Sequence, residues 1–168
     1  MRLRIAALAA ALVAVVLPAR AAAHVELSPS TVAPGSFTLF TVVSPNEKKQ
    51  PLTGLRLTIP EGLTVDSAAD TLGFATEVVE DQAHRIVALS WQGGRVRSRR
   101  LALFHFTASV GPSARTISLT GVQTFADGTT TTWQGAEAPQ IEVASPDSGA
   151  SDGTARILGA AALAAALA

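Results

Sequence analysis

The fold of this 168-residue chain is decided by the stretch Leu101-Ala-Leu-Phe-His-Phe-Thr-Ala108. Phe104 and Phe106 stand two residues apart, and Leu103 and His105 occupy the alternate positions. Successive side chains of a β-strand point to opposite faces of the sheet, so one face of this segment receives both rings. The pattern therefore predicts a strand whose ring-bearing face lies in the core.

On both sides of this segment the pattern stays β throughout the body of the chain, with no long 3.6-residue period. Turn signals rich in Pro, Gly, Asn and Asp separate the strands, and they fall at Pro34-Gly35, Pro45-Asn46, Pro60-Glu-Gly62, Asp81-Gln82, Gly93-Gly94, Gly111-Pro112 and Asp127-Gly128. The predicted strands are His24–Ser28, Ser36–Val43, Leu55–Ile59, Thr71–Val79, Arg85–Trp91, Arg100–Val110, Thr116–Thr124, Thr129–Trp133 and Gln140–Ala144. This spacing predicts an all-β single domain, an antiparallel β-sandwich of immunoglobulin-like or cupredoxin-like type.

The two ends of the chain differ from this body. Residues 1–23 combine a short basic region, an apolar run and small residues at Ala21 and Ala23, which is the layout of a secretory signal cut before His24. A cut after Ala21 or Ala22 is the alternative. We expect residues 24–145 to form the sandwich and residues 146–156, rich in Ser, Gly and Asp, to form a flexible linker.

Residues 157–168 are uniformly apolar, but twelve residues fall short of the roughly 20 that span a bilayer as a helix. We interpret them as a truncated membrane anchor rather than a weak tail. The sequence thus predicts an exported protein, in the periplasm or at the cell surface, that is tethered to the membrane at its C-terminus.

Composition excludes several classes of function. Formal charge is zero, and removal of Arg2, Arg4 and Arg20 with the signal leaves 13 − 3 = 10 basic against 13 acidic residues, a net charge of −3. Avid nucleic-acid binding is therefore not expected. The chain has no Cys, and its single Met is the initiator, which excludes disulfides, thiol catalysis, iron–sulfur clusters, thiolate zinc sites and blue-copper sites.

Cleavage before His24 would give this residue two nitrogen ligands at once. Its new α-amine and its ring Nδ1 can close a small chelate around one metal ion, and an α-amine with a typical pKa of about 7.7–8.0 is readily deprotonated by a strong Lewis acid. Copper(II) binds nitrogen ligands most tightly among the common divalent ions and accepts tetragonal nitrogen and oxygen sites. Soft ligands for copper(I) are lacking in the mature sequence, so the oxidised ion is favoured.

An ordered series of motifs resembles the YcnI-like family of bacterial copper-binding ectodomains, over about the whole body of the chain. The motifs are His24-Val-Glu-Leu-Ser-Pro29, Pro34-Gly35, Pro45-Asn-Glu47, Leu57-Thr-Ile-Pro60-Glu-Gly62, Leu89-Ser-Trp-Gln-Gly-Gly94, Phe104-His-Phe106, Gln123-Thr-Phe-Ala-Asp-Gly128 and Trp133. One departure is that the tyrosine usual in the family before Asp-Gly is replaced here by Phe125-Ala126, which affects packing beside the site.

The resemblance implies a Cu(II) site of the single-histidine-brace type. Carried over to this sequence, it consists of the amine and ring of His24, the carboxylate of Glu47, and Trp133 nearby as a shield or cation–π-like contact. It also implies a binding protein rather than an enzyme, one that holds copper or hands it to a membrane copper transporter or a copper-site assembly protein.

Each of these residues has a plainer interpretation. His24 could be a solvated chain end, Glu47 an exposed carboxylate in a Lys-rich loop, and Trp133 a half-buried ring at a strand end. Trp91 is predicted to lie in the core, and His84 to be solvated in a turn.

Two other functional classes stay open. A copper oxygenase with a two-histidine brace would need His84 or His105 beside His24. A metal-free surface interaction domain is supported by the fold class alone. The alternating residues Arg95, Arg97 and Arg99, followed by Arg100, indicate an edge strand protected by charge, with contact to anionic lipid headgroups as the alternative.

Overall fold

The computed structural model describes residues 24–113 and 115–144. The elements in these ranges are twelve strands and one short 3-10 helix, Gly135–Glu137. The strands are β1 (Glu26–Ser28), β2 (Thr31–Val32), β3 (Phe37–Asn46), β4 (Leu52–Thr58), β5 (Leu63–Ala68), β6 (Ala75–Glu80), β7 (Ile86–Val96), β8 (Arg100–Val110), β9 (Thr116–Ser118), β10 (Thr120–Phe125), β11 (Thr130–Trp133) and β12 (Gln140–Val143). Residues 1–23 and 145–168, with the predicted signal, linker and apolar segment, lie outside the described residues.

Three sheets build the domain. A four-stranded sheet has the order β1-β3-β8-β5, a five-stranded sheet has the order β11-β10-β4-β7-β6, and a small sheet has the order β2-β12-β9. Pairing is antiparallel except between β12 and β2. The all-β sandwich predicted from the sequence is confirmed. Within the two described ranges there is no helix with the length and apolar character of a membrane span.

Aromatic rings fill the space between the two larger sheets. Trp91 of β7 stacks on Phe104 of β8 with ring centroids 4.8 Å apart, and Phe74 meets Phe104 edge-on at 5.0 Å. Phe40 and Phe106 stack at 5.3 Å. All of these rings except the partly buried Phe74 are fully enclosed, which confirms the predicted core face of β8 and the core position of Trp91.

Two strands were not predicted, the two-residue β2 and the longer β5. β5 follows the turn at Pro60-Glu-Gly62 and buries only Leu63 and Val65, after which a register shift between Val65 and Ser67 turns polar side chains outward. Two inward residues give too short an alternation to be recognised beside Asp66 and Ser67. The adjacent prediction, Thr71–Val79, began too early, because Thr71 to Phe74 form a turn closed by the Phe74 N–H to the Thr71 carbonyl at 2.9 Å.

Two predicted turns are wrong, because the residues concerned lie within strands. Gly93 and Gly94 belong to β7, where a Cβ on Gly94 would collide with the ring of Phe74, so the glycine serves close packing rather than reversal. Pro45 and Asn46 are the last residues of β3. The hairpin turn at Asp127-Gly128 is confirmed between β10 and β11, with Gly128 at φ +80°.

The predicted strand Thr116–Thr124 is divided at Leu119. Its first part, β9, pairs with β12 in the small sheet, and its second part, β10, lies between β11 and β4 in the five-stranded sheet. The chain therefore changes sheets without a turn residue to mark the change, which the strand pattern could not reveal.

The predicted edge strand of arginines is also wrong. Arg95 lies near the end of β7, which is an inner strand of the five-stranded sheet. Arg97 and Arg99 lie in the turn from β7 to β8, with Arg99 at φ +59°. These charges thus gather at one end of the sandwich instead of protecting a sheet edge.

Candidate metal centre

His24 lies two residues before β1, which is an edge strand of the four-stranded sheet. β1 pairs with β3 in the register Glu26↔Val43 and Leu27↔Val42. Two further residues in the same antiparallel register bring His24 opposite Pro45. The histidine therefore lies beside the end of β3, where the loop that carries Glu47 begins.

The ring of His24 contacts the indole of Trp133. Their centroids are 5.1 Å apart and their planes are inclined by 68°, an edge-to-face arrangement. Trp133 ends β11, the edge strand of the five-stranded sheet, and packs partly buried against the core. Two of the three predicted site residues thus meet where an edge of one sheet lies over an edge of the other.

Glu47 reaches the same region from the loop after β3. Its side chain is exposed and, together with Trp133, lines a small pocket of about 120 Å³. The other lining residues are Pro45, Lys48, Gln123, Phe125 and Thr131. Trp133 therefore contacts the ring of His24 and also lines the pocket that contains Glu47.

Asn46, next to Glu47, holds the loop in shape. Its buried amide donates to the carbonyls of Gln50 at 2.8 Å and Val96 at 2.9 Å, and its Oδ1 accepts the N–H of Lys48 at 2.9 Å. The Lys48 ammonium lies 4.0 Å from the centroid of the Phe125 ring. Asn46 thus fixes the backbone conformation of the loop that carries Glu47.

Gln123 was not singled out as a site residue, although it lies at the centre of the region. Its side-chain oxygen accepts a hydrogen bond from the indole Nε1 of Trp133 at 3.1 Å, and its nitrogen donates to Ser44 Oγ and to the Pro45 carbonyl, each at 2.9 Å. The sequence signal was a polar residue at an inward position of an alternating strand. Such a residue has to find buried partners.

Glu137 is a second carboxylate that the sequence did not indicate. It lies at the end of the 3-10 helix, and its Oε1 is 3.9 Å from Nε2 of His24. Both residues line an open groove of about 510 Å³, together with Glu26. Glu137 faces the ring nitrogen that a brace would leave unused, so it could orient the imidazole rather than bind the ion.

The donors in this region fit a nitrogen and oxygen site. His24 supplies the imidazole, Glu137 supplies an anionic oxygen beside its Nε2, and Glu47 supplies another in the pocket that Trp133 lines. Over residues 24–113 and 115–144, no three His, Cys, Asp or Glu side chains cluster as a ready-made metal site. A single-histidine brace needs fewer side chains, because two of its nitrogens come from one residue.

The other two histidines lie elsewhere. His84 is exposed in the turn between β6 and β7, as predicted, and pairs with Glu80 at 3.2 Å. His105 lies on β8 opposite Thr41, to whose hydroxyl its Nδ1 is hydrogen-bonded at 3.1 Å. Two strand spacings of about 4.8 Å and four residues of about 3.3 Å place His105 on the order of 15 Å from His24.

Comparison with known families gives one match over most of the chain. The family model described as "Domain of unknown function (DUF1775)" matches residues 24–151. The match begins at His24 and includes every residue that the structure describes.

Individual proteins are also similar to the chain, among them one relative in sequence and one solved structure. The copper-binding protein CutI of Bacillus subtilis (strain 168) is 28% identical over 123 residues, which cover 71% of this chain and 59% of that relative. The chain thus matches less than two thirds of the length of the B. subtilis protein. A crystal structure of an uncharacterized protein from Nocardia farcinica, described as immunoglobulin-like, has a TM-score of 0.63 at 24% identity and covers 73% of this chain and 99% of its own. The second likeness shows the fold.

Proposed function

The chain belongs to the DUF1775 family of YcnI-like domains, and from that premise we propose that it is an exported copper(II)-binding protein. The proposal is supported by the name of the B. subtilis relative, a copper-binding protein. The single observation that carries it here is the contact of His24 with Trp133, beside the loop of Glu47.

The proposed ligands are the α-amine and Nδ1 of His24 and a carboxylate oxygen of Glu47. Removal of residues 1–23 creates the amine, so the precursor lacks one of the two chelating nitrogens. A carboxylate offsets part of the charge of the cupric ion, and the indole of Trp133 excludes water from one side. Gln123 positions that indole through the hydrogen bond at 3.1 Å.

Binding and transfer, rather than catalysis, is the role we propose. A two-histidine oxygenase brace would need a second imidazole, and His105 is hydrogen-bonded to Thr41 while His84 pairs with Glu80. The protein would hold copper outside the cytoplasm, in the periplasm or at the cell surface. It would deliver the ion to a membrane transporter or an assembly protein while tethered by its C-terminal segment.

Copper titration of the mature chain tests this proposal. Mass spectrometry first establishes that the chain starts at His24, and electron paramagnetic resonance then reports the cupric site. We expect one Cu(II) per chain, bound through nitrogen and oxygen, and loss of binding in His24→Ala. The matched control is His84→Ala, which removes an exposed imidazole at another turn and should bind copper normally.

A second variant separates the amine from the ring. A chain that keeps Ala23 ahead of His24 retains the imidazole but places the amine one residue away. We expect it to lose the tight site. Full affinity in that chain would show that the brace is not formed, and loss of binding in His105→Ala would instead favour the two-histidine alternative.

A further inference from the structure

Basic residues concentrate at one end of the sandwich. Of the nine Lys and Arg in residues 24–113 and 115–144, six lie there, namely Lys48, Lys49, Arg95, Arg97, Arg99 and Arg100. We call this surface the basic end. Three acidic residues, Glu47, Asp70 and Asp127, also lie at this end, so its net charge is 6 − 3 = +3. The other described residues include three basic and eight acidic ones, a net charge of 3 − 8 = −5. The domain is thus strongly polarised although its net charge is small.

The fold brings these charges together from separate parts of the sequence. The N–H of Arg99, in the turn from β7 to β8, donates to the carbonyl of Asn46 at 2.8 Å. Arg100 is paired with Asn46 in the sheet register. The loop that carries Lys48 and Lys49 therefore lies directly beside the arginine-bearing turn.

Exposed leucines lie among the cations. Leu72 is fully exposed in the loop before β6, and Leu101 and Leu103 point outward from β8 with about half of each side chain exposed. All three line one shallow groove of about 560 Å³, which Arg95, Arg97 and Arg100 also line. An apolar group interspersed with guanidinium groups is unusual for a surface that faces only water.

We propose that the basic end docks on the surface of an anionic phospholipid membrane. Positive charge is attracted to acidic headgroups over about a Debye length, and leucine side chains gain by entering the boundary between headgroups and acyl chains. Long Arg and Lys side chains can keep their charges at headgroup level while their methylene stems cover apolar surface.

The shape of this surface favours a membrane over an acidic protein segment. The charges of the basic end are not aligned along one strand, as recognition of an extended peptide would require. Its charges come from the β3–β4 loop, the end of β7, the β7–β8 turn and the start of β8, and its most exposed apolar side chain projects from another loop. Such a spread suits a broad, flat partner.

Docking would also orient the candidate metal centre. Glu47 adjoins Lys48 on the same loop and lines a pocket with Arg99 and Arg100. If the proposed copper function holds, the site would face the bilayer, where a membrane-embedded recipient would lie. The docking itself does not depend on copper.

Vesicle sedimentation with the metal-free mature chain tests the inference. The probes are vesicles of phosphatidylcholine alone and vesicles that also contain about 30% phosphatidylglycerol, at low and high salt. We expect binding that needs phosphatidylglycerol and weakens with salt. Arg97→Gln combined with Arg100→Gln should reduce it at least tenfold, and Leu72→Ser should reduce it several-fold.

The matched control is Arg56→Gln combined with Arg85→Gln, which removes the same charge from other surfaces and should bind as the unaltered chain does. Binding by the C-terminal segment is common to all of these chains and is measured on phosphatidylcholine vesicles alone, so docking is scored as the additional binding that phosphatidylglycerol gives. Equal loss in the control would overturn the inference, as would binding indifferent to phosphatidylglycerol. Binding of a polyglutamate peptide with the same arginine dependence and no leucine dependence would assign the surface to an acidic protein instead. His24→Ala should dock normally, so a failed copper site and a failed docking surface give different results.

Discussion

The indole nitrogen of Trp133 donates a hydrogen bond to the side-chain oxygen of Gln123, which is only 2% exposed. The amide nitrogen of Gln123 donates in turn to Ser44 and to the carbonyl of Pro45. One buried amide therefore connects the last residue of β11 to the end of β3, two residues before Glu47. The relative placement of the tryptophan and the acidic loop depends on this side chain.

Replacement of Gln123 by leucine should loosen that connection. Gln123→Leu keeps the volume but leaves the indole N–H and the Pro45 carbonyl without this partner, so we expect the free energy of unfolding to fall by about 1–3 kcal/mol. Near-ultraviolet circular dichroism should change as the ring of Trp133 reorients. Denaturant unfolding measures the first effect, with Gln140→Leu at an exposed position of β12 as the control. Equal stability of the two variants would contradict the positioning role.

Trp133 should report copper binding by its fluorescence. Its ring lies 5.1 Å from that of His24, so a cupric ion held by His24 should quench its emission strongly. In Trp133→Phe only the enclosed Trp91 emits, and we expect most of the quenching to disappear while paramagnetic resonance still detects a bound ion. Quenching of the same size in the variant would place the ion closer to Trp91 than we propose.

Conservative changes at the two carboxylates should distinguish ligand from positioning group. We expect Glu47→Gln to weaken copper(II) binding most, because it removes an anionic donor. Glu137→Gln should weaken it less, on the order of tenfold, because Glu137 faces Nε2 of His24 at 3.9 Å and orients the imidazole rather than binding the ion. Competition titrations against a chelator give both affinities. The reverse ranking would identify Glu137 as the oxygen ligand.

The β10–β11 hairpin should contribute to acid sensitivity. Hydrogen bonds from the hydroxyl and then the N–H of Thr129 hold the pKa of Asp127 below its ordinary value of 3.8. The stabilisation by this carboxylate is therefore complete above that value and is lost as the pH falls through the lower folded-state pKa. Asp127→Asn should be less stable than the unaltered chain at neutral pH, and the gap should close in strong acid. Urea unfolding over that range, with Asp70→Asn as the control, measures it.

The core was the part of the fold most open to prediction. Alternation around Phe104 and Phe106 identified the inward face of β8, because burial of large rings leaves a period-two pattern. β5 was not predicted, because it has few inward residues. The division at Leu119 was not predicted either, because a change of sheet alters the pairing partners of the strand without altering its pattern of side chains. Glycines at 93 and 94 were assigned to a turn, whereas packing against Phe74 gives Gly94 another purpose.

For the site, the resemblance singled out His24, Glu47 and Trp133, and their roles remain predictions. The roles of Gln123 and Glu137 at the site could not be predicted from the sequence. The role of Gln123 depends on partners distant in sequence, Ser44 and Trp133, and that of Glu137 on a short helical turn that reaches the start of β1. Such contacts arise from tertiary structure and leave no local spacing to recognise.

The single segment that supplies both β9 and β10 has a mechanical consequence. This continuous stretch of backbone is hydrogen-bonded into both the small sheet and the five-stranded sheet. Neither sheet can therefore shift relative to the other without breaking backbone hydrogen bonds. The small sheet also contains β2, the strand that follows β1 in the chain, so this segment helps to fix the position of His24 relative to Trp133. The relative placement of these two residues is therefore set by the backbone of the domain and would not have to be created by a bound ligand.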